Sequence, residues 1–216
     1  MNYHKKLLIF FLFFAISIIF IYCKKNETPY EPPEDAYYFK GKVKGISKSF
    51  TENVNGYKLY KNGECGTDGS NSYVTYSTGF KQESGYYILS NERIRISFKN
   101  IYKQSNWNGD SLFNNYFKPN ETISWYSLVN VDTSTTDTLT INGVEVTWID
   151  GEGKLYSSQW GDQSSSLFVI KEATLLSPGV LIRVKAEFNC RVYDMLGNYL
   201  VMNDCTIMCP FEEPCF

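Results

Sequence analysis

Histidine is almost missing from this sequence: the only one is His4, near the N-terminus. Ser-His-Asp and Cys-His catalytic arrangements are therefore excluded downstream, as are zinc sites built on histidine. The chain also lacks the G-x-S-x-G, G-x-G-x-x-G and phosphate-loop motifs of hydrolases, dinucleotide-binding proteins and nucleotide-binding proteins. We therefore predict a protein that is not an enzyme and that holds no metal or cofactor.

A strong excess of charge is lacking as well. The 21 basic and 23 acidic residues give a net charge of −2. Without residues 1–22, which contain Lys5 and Lys6, 19 basic residues remain against the same 23 acids. A mildly acidic chain without a basic block binds phosphate backbones poorly, so we expect no nucleic acid among the partners.

The N-terminus has the pattern of an export signal. Lys5 and Lys6 precede an apolar run over 7–22, and Cys23 follows it directly. This order is typical of a secretory signal peptide. A cysteine directly after the apolar run is similar to the lipobox of bacterial lipoproteins, in which the chain is cut before the cysteine and the cysteine is acylated. We therefore predict a signal peptide over 1–22 and lipidation of Cys23.

Tyr22 departs from the lipobox pattern, because Gly, Ala or Ser usually precedes the cysteine. An uncleaved anchor from Leu7 to Tyr22 is therefore the alternative tether. Either tether predicts a protein of the cell envelope, and a lipid anchor predicts attachment to the outer membrane, on its periplasmic or its surface-exposed side. Residues 23–36 would form the lipid-anchored start and a flexible spacer, since positions 24–36 hold three prolines and four acids.

Residues 37–216 predict an all-β domain. Arg93 to Phe98 alternates strictly between polar and apolar side chains, and no helical apolar stripe of full length occurs. The 17 Tyr and 15 Phe favour strands and could present stacking faces to a sugar. Many short strands between turns predict one antiparallel β-sandwich or barrel-like domain. Gly63 to Ser72 predicts a turn-rich loop that contains Cys65.

A first hairpin is predicted around Asn142-Gly143, a two-residue turn signal. Pairing outward from this turn sets Ile141 against Val144. The register then collects apolar side chains on one face of the second strand, which a slip by one residue would scramble. These side chains are Val144, Val146 and Trp148.

A second hairpin is predicted at Gly197-Asn198. Pairing outward from that turn sets Cys190 opposite Cys205. An exported domain lies where disulfides persist, so we predict a Cys190–Cys205 disulfide, with two free buried thiols as the alternative.

The C-terminus holds the remaining cysteine candidates. Cys209–Cys215 is a second possible disulfide, and the odd number of cysteines after Cys23 leaves one of them unpaired or paired between chains. The spacing of Cys205, Cys209 and Cys215 matches no common zinc site.

Three acids near two tryptophans are candidates for carboxylate catalysis. Asp150, Glu152 and Asp162 lie near Trp148 and Trp160, and two acids beside aromatic side chains are what a glycoside hydrolase requires. Asp150-Gly-Glu-Gly is also ordinary turn composition. A carboxylate-based glycoside hydrolase is therefore only an alternative function.

Three stretches in the C-terminal third carry a resemblance: Gly151 to Ser158, Gly161 to Phe168, and Phe188 to Asn198. With the Cys-Lys start at 23–24 and the acidic, proline-containing spacer, the chain resembles single-domain lipoproteins of Bacteroidota-type bacteria that carry a domain of unknown function. The resemblance implies an envelope address and a β domain, and it implies no activity.

The sequence leaves three functions open. The first is a non-catalytic binding domain for a glycan, a peptide or a protein partner, with aromatic side chains as the contact surface. The second is a structural or assembly component of the envelope. The third is the carboxylate hydrolase. In each case we expect the membrane to be a partner through the lipid anchor.

Overall fold

The computed structural model describes residues 33, 36–68, 71–82, 92–103, 116–127, 141–178 and 180–214. Within these ranges the regular structure is almost entirely β-strand, with a 3₁₀ turn at Ser158–Trp160, so the all-β prediction is confirmed. The predicted signal peptide and Cys23 lie outside the described residues. No helix in the described ranges is long and apolar enough to cross a membrane.

Ten strands form one antiparallel sheet. The order across it is β2-β1-β10-β9-β7-β6-β5-β4-β3, and β8 pairs with β9 outside this path. The strands in chain order are β1 (Tyr38–Val43), β2 (Ile46–Thr51), β3 (Tyr57–Asp68), β4 (Asn71–Gln82), β5 (Arg93–Lys103), β6 (Ile141–Ile149), β7 (Leu155–Ser157), β8 (Leu167–Ser177), β9 (Leu181–Tyr193) and β10 (Tyr199–Glu212).

The sheet curls around one aromatic core. The ring of Phe98 on β5 lies 4.9 Å from that of Phe211 on β10. On the opposite side, Phe50 of β2 stacks on Trp148 of β6 at a ring distance of 5.7 Å. Strands that are far apart in the sheet order therefore meet through their inward side chains. The domain is the barrel-like form of the predicted architecture, a curled half-barrel.

An extended segment closes the gap between β8 and β6. Ile123 N donates to Phe168 O at 2.9 Å, and Tyr126 N donates to a β6 carbonyl at 3.0 Å. The segment brings the Tyr126 ring over β5, where Lys99 Nζ lies 4.6 Å from the ring centroid.

The predicted turn at Asn142-Gly143 is wrong. Both residues lie inside β6, where Asn142 pairs with Asn100 and Gly143 with Lys99 of β5. A Cβ atom on Gly143 would lie 2.6 Å from Tyr126 N. The absence of a side chain on Gly143 therefore lets another backbone segment approach β6 closely. Glycine within a strand often marks such a contact. The predicted apolar face is nevertheless confirmed, because strand alternation buries Val144, Val146 and Trp148.

The second predicted hairpin is present with a different register. Tyr193 pairs with Tyr199, so a five-residue loop joins β9 and β10. Asp194 Oδ1 accepts hydrogen bonds from the backbone N of Leu196 at 2.9 Å and of Asn198 at 2.8 Å. An aspartate that caps its own loop in this way stabilises a wider turn than the two-residue turn expected from Gly-Asn.

The register shift separates the predicted cysteine pair. Cys190 pairs with Met202, and Cys205 follows a β-bulge in β10. Both are buried free thiols, so the predicted Cys190–Cys205 disulfide is wrong. The predicted Cys209–Cys215 disulfide is also wrong, because Cys209 is a buried free thiol. Cys215 itself lies outside the described residues.

The stretch from Gly63 to Ser72, predicted as a loop, belongs largely to a long hairpin. β3 and β4 pair residue by residue over their full lengths, with Cys65 opposite Val74. Because β3 is the last strand in the sheet order, its glycines and polar residues face solvent on one edge and are tolerated there. Cys65 is disulfide-bonded.

Candidate functional site

The outer face of β3 to β6 carries polar side chains in register. Alternation turns Arg95, Ser97 and Lys99 of β5 away from the core, opposite in direction to Phe98. In the strand register, Ser97 lies opposite Ser77 of β4 on one side and opposite Glu145 of β6 on the other. Hydroxyl, carboxylate and basic groups therefore lie next to one another across neighbouring strands.

A groove of about 300 Å³ runs over this face, and we call it the outer groove. Polar groups dominate its lining, and two tyrosines supply aromatic surface. The polar and aromatic lining residues are Asn62, Glu64, Tyr73, Thr75, Ser77, Arg95, Ser97, Lys99, Asn100 and Tyr126.

Two serines form the base of the outer groove. Ser77 Oγ donates a hydrogen bond to Ser97 Oγ at 2.8 Å. Only 7% of Ser77 and 1% of Ser97 is exposed. The two hydroxyls therefore bond to each other, and the small exposed part of Ser77 leaves its oxygen able to accept a hydrogen bond from a ligand hydroxyl.

A buried ion pair holds one side of the groove. Lys99 Nζ lies 2.6 Å from Glu145 Oε2, and Ser157 Oγ donates to Glu145 Oε1 at 2.6 Å. Burial raises the pKa of the Glu145 carboxyl, but Lys99, Ser157 and Arg95 together outweigh it and keep the pKa below its ordinary value. Glu145 therefore stays charged, and its charge balances the ammonium group of Lys99.

Two polar atoms at the groove have no hydrogen-bond partner within the described part of the chain. They are Asn100 Oδ1, an acceptor, and Arg95 Nε, a donor. Asn100 is only 1% exposed. An unpaired buried polar atom costs about 1–3 kcal/mol. A ligand that offers both a donor and an acceptor would recover part of that cost.

Of the three acids singled out in the sequence, Asp150 and Glu152 share one local turn and Asp162 lies in another. Asp150 Oδ1 accepts from the backbone N of Glu152 at 3.0 Å and of Lys154 at 2.8 Å. Asp162 accepts from the backbone N and the hydroxyl of Ser164 at 2.9 and 2.8 Å. These contacts are turn-forming, and they offer no support for the hydrolase alternative.

The three tryptophans that the structure describes do not form the contact surface that the aromatic content suggests. Trp148 is 1% exposed, and Trp125 packs against the core. Trp160 is half-buried at the end of its 3₁₀ turn. Trp107 lies outside the described residues. The aromatic surface at the outer groove is supplied by tyrosines instead.

Sequence reasoning assigned no role to the residues of the outer groove. The one available signal was the alternation of Arg93 to Phe98, which places Ser97 on a polar face. Nothing in the sequence indicated that Ser77 and Glu145 would lie beside it, because those pairings join strands separated by long stretches of chain. Among the described side chains, no group of three or more His, Cys, Asp or Glu residues is placed to hold a metal ion.

Comparison with protein-family models, with curated proteins and with solved structures finds no match to this chain. The resemblance to Bacteroidota-type lipoproteins therefore stays a prediction. The function has to follow from the geometry of the site itself.

Proposed function

We propose that this chain is an exported, lipid-anchored envelope protein whose β domain is a non-catalytic binding module for a glycan, held in the outer groove. The observation that carries the proposal is the unpaired donor and acceptor, Arg95 Nε and Asn100 Oδ1, beside two buried serine hydroxyls. Buried polar atoms usually have a hydrogen-bond partner, and a bound ligand with both a donor and an acceptor would supply one for each of these two.

The chemistry of the groove favours a neutral, hydroxyl-rich ligand. The charge of Lys99 is balanced by Glu145 at 2.6 Å, so a strongly anionic ligand gains little there. Tyr73 lines the groove and is half-buried, which leaves part of its ring available to stack on a sugar. Asn62 is exposed on the neighbouring edge strand and offers an amide donor and acceptor.

A glycan-array screen with the detergent-solubilised full chain tests this proposal. We expect binding to neutral oligosaccharides, and we expect Tyr73→Ala and Asn62→Ala each to weaken it about fivefold, since a stacked ring or a ligand hydrogen bond contributes roughly 1 kcal/mol. Matched controls are Tyr199→Ala and Asn203→Ala, whose residues lie exposed on β10. Array binding that is absent, or equal in all four variants, would contradict the proposal.

A structural or assembly role is the second candidate, and one observation favours it. Met195 and Leu196, at the loop between β9 and β10, are 81% and 86% exposed. Exposed apolar side chains at a loop tip are a common feature of protein contact surfaces. If pull-downs from envelope extracts recover a partner that Leu196→Ser loses and Tyr73→Ala retains, the assembly role is favoured over the glycan.

The tether is tested separately, by mass spectrometry of the mature N-terminus. We expect a chain that begins at diacylglyceryl-Cys23, and we expect Cys23→Ser to carry no acyl group. Tyr22→Gly serves as the matched control, because it restores a small residue before the cysteine and should increase processing. A full-length chain that keeps Met1 would show an uncleaved anchor instead.

A further inference from the structure

The end of β10 lies alongside the edge strand β3. Lys61 Nζ is 2.8 Å from Glu212 Oε2. A Cβ atom on Gly63 would lie 2.6 Å from Pro214 Cβ. Cys65 Sγ is 3.8 Å from Pro214 O. Contacts therefore follow every second residue of β3, on the side where the curled sheet closes on itself.

Cys65 is disulfide-bonded, and its partner can be found by elimination. The other described cysteines, Cys190, Cys205 and Cys209, are free thiols in the core. Two cysteines remain in the sequence, Cys23 and Cys215.

The position of Pro214 decides between the two. Cys215 directly follows Pro214, and consecutive Cα atoms are about 3.8 Å apart. Since Cys65 Sγ is 3.8 Å from the Pro214 carbonyl oxygen, the residue that follows Pro214 is within reach of a bond whose Cα atoms stand roughly 4.4–6.8 Å apart. Cys23 is the predicted acylation site, and its sulfur would carry the lipid.

We propose that Cys65 and Cys215 form a disulfide that fastens the C-terminus to β3 and closes the curled sheet. In forming it, the two thiols lose two protons and two electrons. The electrons reduce the reactive disulfide of an envelope thiol oxidoreductase to a dithiol. The bond closes a loop of about 150 residues, which restricts the unfolded chain strongly, and it holds the strand that carries Glu64 of the outer groove.

Peptide mapping without reduction tests the bond directly. The chain is isolated from the envelope, its free thiols are alkylated in denaturant, and it is digested with trypsin and chymotrypsin. Cleavage after Lys61, Tyr73 and Phe211 yields fragments 62–73 and 212–216, each with a single cysteine. We expect these two fragments to be linked. Fragment 62–73 linked to any other cysteine, or alkylated at its own, would overturn the proposal.

Thermal unfolding supplies a second, independent readout. Cys65→Ser, Cys215→Ser and the double variant are expected to lower Tm equally, by about 10 °C. A reductant should lower the Tm of the wild type by the same amount and leave the double variant unchanged. Cys209→Ala is the control, because it removes a thiol and should keep the linked fragments. Unequal shifts in the two single variants, with a reductant response in the double variant, would also overturn the proposal.

Discussion

Replacing Trp148 with alanine is expected to lower the free energy of unfolding by about 4 kcal/mol. Trp148 is 1% exposed, and its ring lies 5.7 Å from Phe50 and 6.4 Å from Phe39. The substitution removes the side chain that joins β6 to β1 and β2 across the core, and a rigid aromatic cluster cannot fully collapse into the space. Because a domain is stabilised by only about 5–15 kcal/mol, this loss is a large share of the total.

Urea unfolding followed by far-UV circular dichroism measures the effect. Leu196→Ala is the matched control, since Leu196 is 86% exposed and its loss should change the free energy by less than about 0.5 kcal/mol. A Trp148→Ala variant within 1 kcal/mol of the wild type would mean that the curled sheet does not depend on this contact.

Replacing Glu145 with alanine is expected to cost about 3 kcal/mol. The substitution removes the partner of Lys99 and the acceptor of Ser157 in a place where the Glu145 side chain is 2% exposed. Removing one member of a buried ion pair leaves the other charge without compensation, which is more costly than losing an exposed pair. Glu187→Ala is the control, because Glu187 pairs with Lys171 at 3.3 Å and is 52% exposed.

The same ion pair predicts a pH dependence with a definite sign. The pKa of Glu145 is lowered in the folded protein, so its contribution to stability is present above the unfolded pKa of about 4.3 and is lost as the pH falls through the folded pKa. Stability should therefore fall more steeply below pH 5 in the wild type than in Glu145→Gln. The pKa of Asp162 is also lowered, chiefly by its backbone hydrogen bond to Ser164, and affects both proteins alike. Parallel curves would show that Glu145 carries no such linkage.

The Glu145–Lys99 ion pair contributes both to the stability of the domain and to the wall of the outer groove. Glu145 orients Lys99 beside the groove, and the Tyr126 ring covers the same ammonium group at 4.6 Å. A glycan bound there would rest on a side of the groove that is held rigid by a buried network. We therefore expect Glu145→Ala to weaken glycan binding as well as stability, whereas Tyr73→Ala should weaken binding alone.

Turn signals were the least dependable part of the sequence. Asn142-Gly143 has the composition of a tight hairpin turn, yet it lies within β6, where Tyr126 N comes too close to Gly143 to leave room for a Cβ atom. A glycine can be required either for its small size or for its backbone freedom. At Gly143 the small size is required, because of a segment that lies 17 residues earlier in the chain.

The cysteine pairing failed for a related reason. The turn near Gly197-Asn198 was placed correctly in the chain, but the Asp194 cap widens the loop and shifts the register. Cys190 then faces Met202 across the strands. When strand partners are counted outward from a turn, a wrong turn length shifts every predicted pair by the same number of residues.

Where apolar and polar side chains alternate strictly, the sequence alone determined the strand and its faces, because alternation is a local property. Arg93 to Phe98 became β5 as predicted, and its apolar side chains are in the core. The tertiary structure decided everything that depends on partners: the curl that brings Phe98 to Phe211, the cross-strand row that builds the outer groove, and the meeting of β3 with Pro214. Those contacts join residues far apart in the chain, and their free energy comes from packing that no single segment encodes.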